Sequence, residues 1–167
     1  SHPLIMDSSI SEPLELLHID LCGPSTVASL HHKKYILVIV DDYTRFTWVF
    51  FLRLKSETSQ IFINFIKEIE LQIKLPVRRI RSDNGTEFTN HLLTSFLVSK
   101  GISHNFSAPY TPEQNGVVER RNRTLVEAAR SMLNFAQLPF YFWAEAVATT
   151  CFAQNRHIVC KRLNKTP

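Results

Sequence analysis

Residues 34–52 read KYILVIVDDYTRFTWVFFL, and this stretch decides the fold class. Both halves are almost continuously apolar and rich in β-branched and aromatic residues, a composition typical of buried strands. Only a short polar segment containing Thr44 and Arg45 separates the two halves. The stretch therefore predicts two strands that form a hairpin with a buried centre.

The segments on either side of this hairpin supply further strands and helices. Strand-like runs are LELLHID at 14–20, which stops before the turn signal Gly23-Pro24, VRRIRS at 77–82 and ISHNFS at 102–107. Apolar residues at helical spacing predict helices over 56–74, 89–101, 114–135 and 141–155. DNGTEF at 83–88 is typical of a turn and SAPYTPEQNG at 107–116 of a loop. This order predicts an α/β fold, with a five-stranded mixed sheet flanked by helices.

Length and composition fit one globular domain. The chain has 167 residues, of which 44% are apolar and 20% charged, enough to bury a core. We predict a polar linker over 1–13 and a single domain over 14–167. No apolar run is long enough to span a bilayer, so no membrane association is expected. Three cysteines at spacings that match no disulfide framework favour an intracellular, reducing setting.

Positive charge is concentrated in the second half of the chain. Residues 1–77 carry 7 Lys and Arg against 9 Asp and Glu, whereas residues 78–167 carry 12 against 6. A basic solvated face is the alternative explanation of this bias. The bias nevertheless favours a polyanionic partner such as nucleic acid.

Three acidic residues stand where an α/β fold gathers functional groups. Asp20 closes the first strand, Asp83 follows the fourth directly, and Glu119 lies early in the long helix. Functional groups collect beyond the carboxyl ends of parallel strands, so strands one and four lying side by side would bring the aspartates together. Clustered carboxylates need a cation, and oxygen ligands without His or Cys select Mg²⁺ or Mn²⁺. Two such ions would catalyse phosphoryl transfer on nucleic acid.

Three motifs around these acids resemble a known family. HIDLCGP at 18–24, RSDNGTEF at 81–88 and PYTPEQNGVVERRNRT at 109–124 are similar, in order and spacing, to the acidic motifs of the retroviral and retrotransposon integrase core. The 35 residues between Asp83 and Glu119 are the spacing of that family's Asp-Asp-Glu signature. The resemblance is strongest to copia-type retrotransposon polyproteins and runs over residues 14–167.

The resemblance implies roles for individual residues within a ribonuclease H-like fold. Asp20, Asp83 and Glu119 match the catalytic metal ligands, and Asn84 and Gly85 match the tight turn that aims Asp83. Four further residues match a mobile loop that grips DNA: Tyr110, Gln114, Asn115 and Gly116. Integrases trim the DNA ends of their element and then join the new 3′ hydroxyls to target DNA. The resemblance thus implies DNA as partner, a homo-oligomer, and action in the nucleus at the integration step.

Several assignments have plainer alternatives. Either aspartate alone suits a turn, and Glu119 alone suits a surface ion pair with Arg123, worth under about 1 kcal/mol. Arg123 and Arg130 share a helical face with Glu119 and are predicted to contact DNA phosphates, together with Arg120 or Arg121. Solvated surface arginines are the alternative. Two neighbouring acids are predicted to be turn residues only: Asp41 and Asp42.

The function itself has two competing interpretations. One is a relic or domesticated integrase-like domain that binds nucleic acid or protein without chemistry, and the intact triad counts against it. The other is a ribonuclease H-type nuclease, against which the loop and helix after Pro109 favour an integrase. The chain ends at NKTP, where copia-type proteins continue, and no His-His-Cys-Cys zinc module precedes it. We therefore expect a core that is truncated relative to the full polyprotein and folds without necessarily joining DNA ends alone.

Overall fold

The computed structural model describes residues 9–108, 115–157, 163, 164 and 166. This described part of the chain contains five strands, β1 (Leu16–Cys22), β2 (Tyr35–Asp41), β3 (Thr47–Leu52), β4 (Arg79–Ser82) and β5 (Ser103–Phe106). It also contains five α-helices, α1 (Thr58–Ile73), α2 (Thr86–Thr89), α3 (His91–Lys100), α4 (Gly116–Ala136) and α5 (Trp143–His157). Single 3₁₀ turns precede α1 and α5 at Lys55–Glu57 and Phe140–Phe142.

The strands form one mixed sheet in the order β3-β2-β1-β4-β5. β1, β2 and β3 pair antiparallel, whereas β4 is parallel to both β1 and β5. The predicted hairpin and the five-stranded mixed sheet are thus confirmed. The parallel pairing of β1 with β4 places two chain-distant strands side by side at the centre of the sheet.

Alternating residues of the central strands contribute side chains to two separate hydrophobic cores, one on each face of the sheet. Leu17 and Ile19 of β1 face the core formed with α1 and α3. On β2, Val38 and Val40 point the other way, into the core formed with α4 and α5. Because successive strand residues point to opposite faces, Asp20 lies on the α4 side of the sheet.

Two aspartates were predicted to be turn residues: Asp42 lies in the turn between β2 and β3, whereas Asp41 is the last residue of β2. Asp41 accepts hydrogen bonds from the backbone N–H groups of Leu14 and Thr44 at 2.9 and 2.8 Å. Asp42 lies 2.8 Å from Nε2 of the buried His18. These contacts tie the turn to β1 and give both carboxylates a structural role.

Helix ends follow the turn chemistry of the sequence. α1 stops where Lys74 adopts left-handed backbone, with φ of 60°, two residues before Pro76. α3 begins after Asn90, whose side chain accepts the Leu93 N–H at 3.1 Å, and ends at Gly101 with φ of 70°. Observed boundaries differ from the predicted ones by about two residues, the ordinary fraying of element ends.

One predicted turn contains a helix. DNGTEF at 83–88 was expected to be a turn throughout, but only its beginning is one, because α2 starts at Thr86. A single helical turn is too short for apolar periodicity to predict. Within the predicted loop over 107–116, residues 109–114 lie outside the described part of the chain.

Ile10 is buried although it lies in the predicted linker over 1–13, whose residues 1–8 are not described. Among the described helices, none is both long enough and apolar enough to cross a membrane.

Candidate active site at the carboxyl ends of two parallel strands

Asp20 lies near the carboxyl end of β1 and Asp83 directly follows β4, the neighbouring parallel strand. The first strand was predicted to close at Asp20, but it continues to Cys22. The register pairs Leu16 with Arg79 and His18 with Arg81, an offset of 63 residues. Continued for two residues beyond the last pair, the same offset sets Asp20 opposite Asp83. The Asp20 carboxylate lies on the α4 side of the sheet, and the negative charge of Asp83 acts on it, so the two carboxylates are close together. The prediction that strands one and four adjoin is confirmed.

Glu119 lies on the first turn of α4 and lines the same cleft as Asp20. Val118 and Leu125 are buried against the sheet and fix how the helix lies. Glu119 itself is exposed, beside this buried stripe. A cleft of about 540 Å³ opens between helix and sheet. It is lined by Asp20, Cys22, Glu119, Asn122, Arg123, Val126, Glu127 and Arg130.

The electrostatics of Asp20 show that the three carboxylates interact. Burial raises the pKa of Asp20 to about 6, and the negative charges of Asp83 and Glu119 add to that rise. The side-chain amide of Asn122 opposes it by donating to Oδ2 of Asp20 at 3.3 Å. An ionised Asp20 is therefore costly without a neutralising cation.

A part-buried hydrogen-bond chain supports Asp83. The Asp83 carboxylate accepts the backbone N–H of Gly85 at 2.9 Å, which closes the turn around Asn84. Behind it, the Ser82 hydroxyl donates to the Asp83 carbonyl at 2.7 Å and lies 2.7 Å from Nε2 of His104 on β5. Burial lowers the pKa of His104 to about 4, so the ring is neutral at neutral pH. Since the Ser82 proton is already donated, Nε2 of His104 is the donor to Ser82.

The four predicted DNA-contacting arginines are in different environments. Arg123 and Arg130 line the cleft with Asp20 and Glu119, as expected from their helical spacing. The Arg120 side chain is exposed and folds back beside Gly116.

Arg121 lies on another face of α4. Its guanidinium donates to Oε1 of Gln154 at 3.1 Å and to the Arg45 carbonyl at 3.3 Å. These bonds join α4 to α5 and to the β2–β3 turn. The geometry favours a structural role for Arg121, in contrast to the DNA contact that its sequence neighbourhood predicts.

The predicted DNA-gripping loop is only partly described. Asn115 is buried directly before α4, and its carbonyl accepts the Glu119 N–H at 3.2 Å. It therefore helps to orient the turn that carries Glu119. Tyr110 and Gln114 lie outside the described residues, and their DNA contact stays a prediction.

Asn122 and the His104–Ser82 pair are parts of the site that the sequence analysis missed. Asn122 contacts both Asp20 and the Cys22 thiol. Its position three residues after Glu119, on the same helical face, is a signal that sequence analysis could have used. His104 offers no such signal, because only the pairing of β4 with β5 brings it to Ser82. The Cys22 pKa is raised to about 12 by burial and by Asp20, so its thiol stays protonated.

The three carboxylates are the type of ligand that binds a divalent cation, but their side chains are not arranged around a common ion position. Three carboxylates that repel one another, with no His or Cys ligand among them, match the preference of Mg²⁺ or Mn²⁺. Across residues 9–108 and 115–157, however, no three His, Cys, Asp or Glu side chains have the geometry to hold a metal ion. The predicted triad is thus an electrostatically coupled cluster in the structure.

Comparison with known proteins gives the family. The integrase core domain family matches residues 11–112, more than half of the chain. The chain belongs to the integrase core domain family. This match includes Asp20 and Asp83 and ends before Glu119.

Relatives of this integrase core domain are transposon polyproteins. The Retrovirus-related Pol polyprotein from transposon TNT 1-94 of Nicotiana tabacum is 43% identical over 143 residues, or 86% of this chain and 11% of that protein. The corresponding polyprotein from transposon RE2 of Arabidopsis thaliana is 36% identical over 146 residues, covering 87% and 10% of the two chains. The domain thus spans about a tenth of the length of these relatives. The resemblance to copia-type polyproteins is confirmed.

Solved structures confirm the ribonuclease H-like fold. A chain of the simian T-cell lymphotropic virus intasome in complex with PP2A regulatory subunit B56 gamma has a TM-score of 0.71 and 21% identity, over 92% of this chain and 52% of that one. The HTLV-2 integrase catalytic core, solved with magnesium in a trimeric form, has a TM-score of 0.66 and 21% identity, over 92% and 93%. At this level of identity the likeness shows the fold alone.

Proposed function

We propose that this integrase core domain cuts and joins DNA by metal-dependent phosphoryl transfer, with Asp20, Asp83 and Glu119 holding two Mg²⁺ or Mn²⁺ ions. One observation carries the proposal: Asp20 near the end of β1 and Asp83 directly after the adjacent parallel strand β4 interact electrostatically, and Glu119 adds to the repulsion at Asp20. A group of carboxylates that is costly when ionised suits a site that a cation stabilises.

The family supports the same chemistry. Retrotransposon polyproteins are its relatives, and the structurally similar HTLV-2 core is described as a complex with magnesium. When bound, such ions polarise a phosphodiester, activate a water or 3′ hydroxyl as nucleophile and stabilise the leaving oxygen. The proposed sequence of reactions is trimming of the element's 3′ ends followed by their joining to target DNA.

The chain's own residues have distinct parts in this proposal. Asn122 orients Asp20 through its hydrogen bond, and Ser82 with His104 holds the backbone that carries Asp83. Arg123 and Arg130 bind DNA phosphates along the cleft, which positions a strand without reading its sequence.

Assembly and location are part of the proposal. Solved neighbours comprise dimeric and trimeric integrase cores and an intasome. We propose that this domain likewise acts as a homo-oligomer on element ends and target DNA. Its setting would be intracellular, with the joining step in the nucleus.

A cleavage assay with three substrates tests the proposal. The chain is incubated with a short duplex that ends in the element's DNA, a supercoiled plasmid and an RNA–DNA hybrid, each in Mg²⁺, Mn²⁺ or EDTA. We expect metal-dependent nicking of DNA and joining of the duplex end to the plasmid, with little cleavage of the hybrid. Because both reactions need activated oxygen nucleophiles, EDTA should abolish them.

The other outcomes separate the alternatives. Preferential cleavage of RNA in the hybrid would identify a ribonuclease H-type nuclease. DNA binding without cleavage in either metal, by protein shown to be folded by circular dichroism, would favour a domain that has lost its chemistry. The side-chain geometry of the triad, which does not yet converge on an ion, is the observation that favours this second candidate.

A further inference from the structure

A second cavity adjoins the acidic cleft. Its volume is about 210 Å³, and it lies between the end of β1, the start of β2 and the helices α4 and α5. It shares Cys22, Val126 and Arg130 with the cleft that contains Asp20 and Glu119. A ligand that occupies this cavity is therefore next to the reacting groups.

The walls of the cavity are apolar and well supported. Ala129, Trp143 and Val147 line it and are at least 95% buried, as parts of the core beneath α4 and α5. The Trp143 indole N–H donates to the Val27 carbonyl at 2.9 Å, which fixes the ring. Since an apolar cavity of about 150 Å³ accommodates a benzene ring, this one has room for a larger flat ring system.

The floor of the cavity requires glycine. Gly23 has φ of +125°, and a Cβ there would lie 2.6 Å from the Lys34 carbonyl oxygen. The segment after β1 therefore packs directly on the beginning of β2. This close approach makes the cavity a preformed feature of the backbone.

The charged residues around the cavity are all basic. Lys34 and Arg130 line it, and none of its described lining residues is acidic. The Arg130 guanidinium lies 5.7 Å from the centre of the half-exposed Phe140 ring. An aromatic surface beside two cations suits a flat ring attached to an anion, which is the chemistry of a nucleotide.

We propose that this cavity holds one unpaired base of a DNA strand that crosses the acidic cleft, with Lys34 and Arg130 on the flanking phosphates. The inference rests on the proposed function, because it takes DNA as the ligand. Stacking against apolar and aromatic walls tolerates any base, so the contact fixes the register of the strand without reading its sequence. Held there, the strand is anchored beside Asp20.

A binding experiment in EDTA tests this separately from catalysis. Fluorescence anisotropy compares three duplexes of one sequence: a blunt duplex, one with a two-nucleotide 3′ overhang, and one whose overhang is abasic. The abasic overhang keeps the phosphates and lacks the bases. We expect the parent to bind the normal overhang about tenfold more tightly than the abasic one, the effect of one stacked base.

Two variants fill the cavity. Ala129→Leu fills it from the helix, and Ser25→Leu fills it from its half-exposed rim if the first variant does not fold. Both should reduce the preference for the normal overhang to about onefold and leave binding of the blunt duplex unchanged. Ala136→Leu, an equal enlargement at an exposed position of the same helix, is the matched control and should keep the preference.

The outcomes distinguish this inference from the function on which it rests. Equal binding of normal and abasic overhangs by the parent would overturn the base-binding cavity and leave the catalytic proposal standing. If a folded cavity-filled variant still prefers the normal overhang, the base-binding cavity is overturned as well. The cavity would then be free to take another occupant, such as an apolar group of a protein partner. No binding to any of the three duplexes would count against both proposals.

Discussion

At Asp20, burial and two neighbouring negative charges act in the same direction. The carboxyl is desolvated between β1 and α4, and Asp83 and Glu119 both disfavour its ionised form. The Asn122 amide and the Leu21 backbone oppose them. In the absence of a cation, ionised Asp20 therefore lowers the free energy of unfolding, and a bound cation would offset this cost.

The pH dependence of stability should reveal this cost. Since the folded pKa of Asp20 is about 6 and its ordinary value is 3.8, ionisation destabilises the fold progressively between about pH 4 and 6 and fully above that. Asp20→Asn removes the charge, so in EDTA at pH 7.5 it should raise the free energy of unfolding by at most about 3 kcal/mol. At pH 4 the parent and variant should be nearly equal.

Thermal unfolding followed by circular dichroism at both pH values makes this measurement. Thr124→Ala, a neutral change at an exposed position of α4, controls for general effects of substitution. A Tm difference between Asp20→Asn and the parent that is the same at pH 4 and pH 7.5 would show that Asp20 has no raised pKa.

The sequence predicted the three acids as candidates, but it did not predict the contacts around them. Asp20 and Asp83 end predicted strands, and the spacing to Glu119 follows the family resemblance. Ser82 and His104 are 22 residues apart, and they meet only through the register of β4 and β5. Such contacts depend on strand pairing, which local sequence patterns do not determine.

At the scale of elements, α4 has three functional faces. One is the buried stripe that includes Val118 and Leu125, and a second lines the cleft with Glu119, Arg123 and Arg130. The third joins α4 to α5 through Arg121. The different position of Arg121 could have been predicted from the sequence. Arg121 lies three residues after Val118 and four before Leu125, which places it beside the buried stripe and away from the cleft.

Replacing arginines on different faces should have different effects. We expect Arg123→Ala with Arg130→Ala to weaken DNA binding similarly on unrelated sequences and to reduce the slope of log affinity against log salt by about 2. Arg121→Ala should leave that slope unchanged and lower the free energy of unfolding by about 1 to 2 kcal/mol, because it loses two hydrogen bonds.

Anisotropy titrations over a range of salt concentrations, together with thermal melts, separate these effects. Should Arg121→Ala reduce the salt slope as much as the double variant does, Arg121 contacts DNA as its sequence neighbourhood predicts. If the double variant has the same salt dependence of DNA binding as the parent, Arg123 and Arg130 are solvated surface residues that do not contact DNA.

At the scale of the whole molecule, the sheet holds the acids between two cores. One core packs α1 and α3 against one face, and the other packs α4 and α5 against the opposite face. β1 contributes Leu17 and Ile19 to the first core and packs Cys22 against the second, while the neighbouring β4 contributes Ile80 to the first. The position of the aspartates is therefore determined by the fold as a whole, and the remaining freedom at the site belongs to the side chains and to α4.

A divalent cation should consequently stabilise the whole domain. Binding to the folded state alone at ten times the dissociation constant adds about 1.4 kcal/mol, which raises Tm by about 3 to 5 °C at this size. Combining Asp20→Asn, Asp83→Asn and Glu119→Gln should abolish the rise. Sodium chloride at matched ionic strength controls for screening, and a parent Tm that millimolar Mg²⁺ does not change would contradict the metal site.

The most direct test of the account compares two glutamates of one helix. Glu119 and Glu127 both lie on α4 and both line the acidic cleft. Of the two, Glu119 is the one whose charge raises the pKa of Asp20 and whose spacing from Asp83 matches the family's triad. Phosphodiester cleavage in Mg²⁺ is measured for the parent, Glu119→Gln and Glu127→Gln, each shown to be folded. Loss of a metal ligand impairs nucleophile activation and leaving-group stabilisation together.

We predict that Glu119→Gln lowers the cleavage rate at least about a thousandfold, whereas Glu127→Gln keeps most of the parent's rate. Glu87→Gln, beyond the turn after Asp83, should also keep it. Folded Glu119→Gln with a rate near that of the parent, or Glu127→Gln with the larger loss, would contradict the triad of Asp20, Asp83 and Glu119.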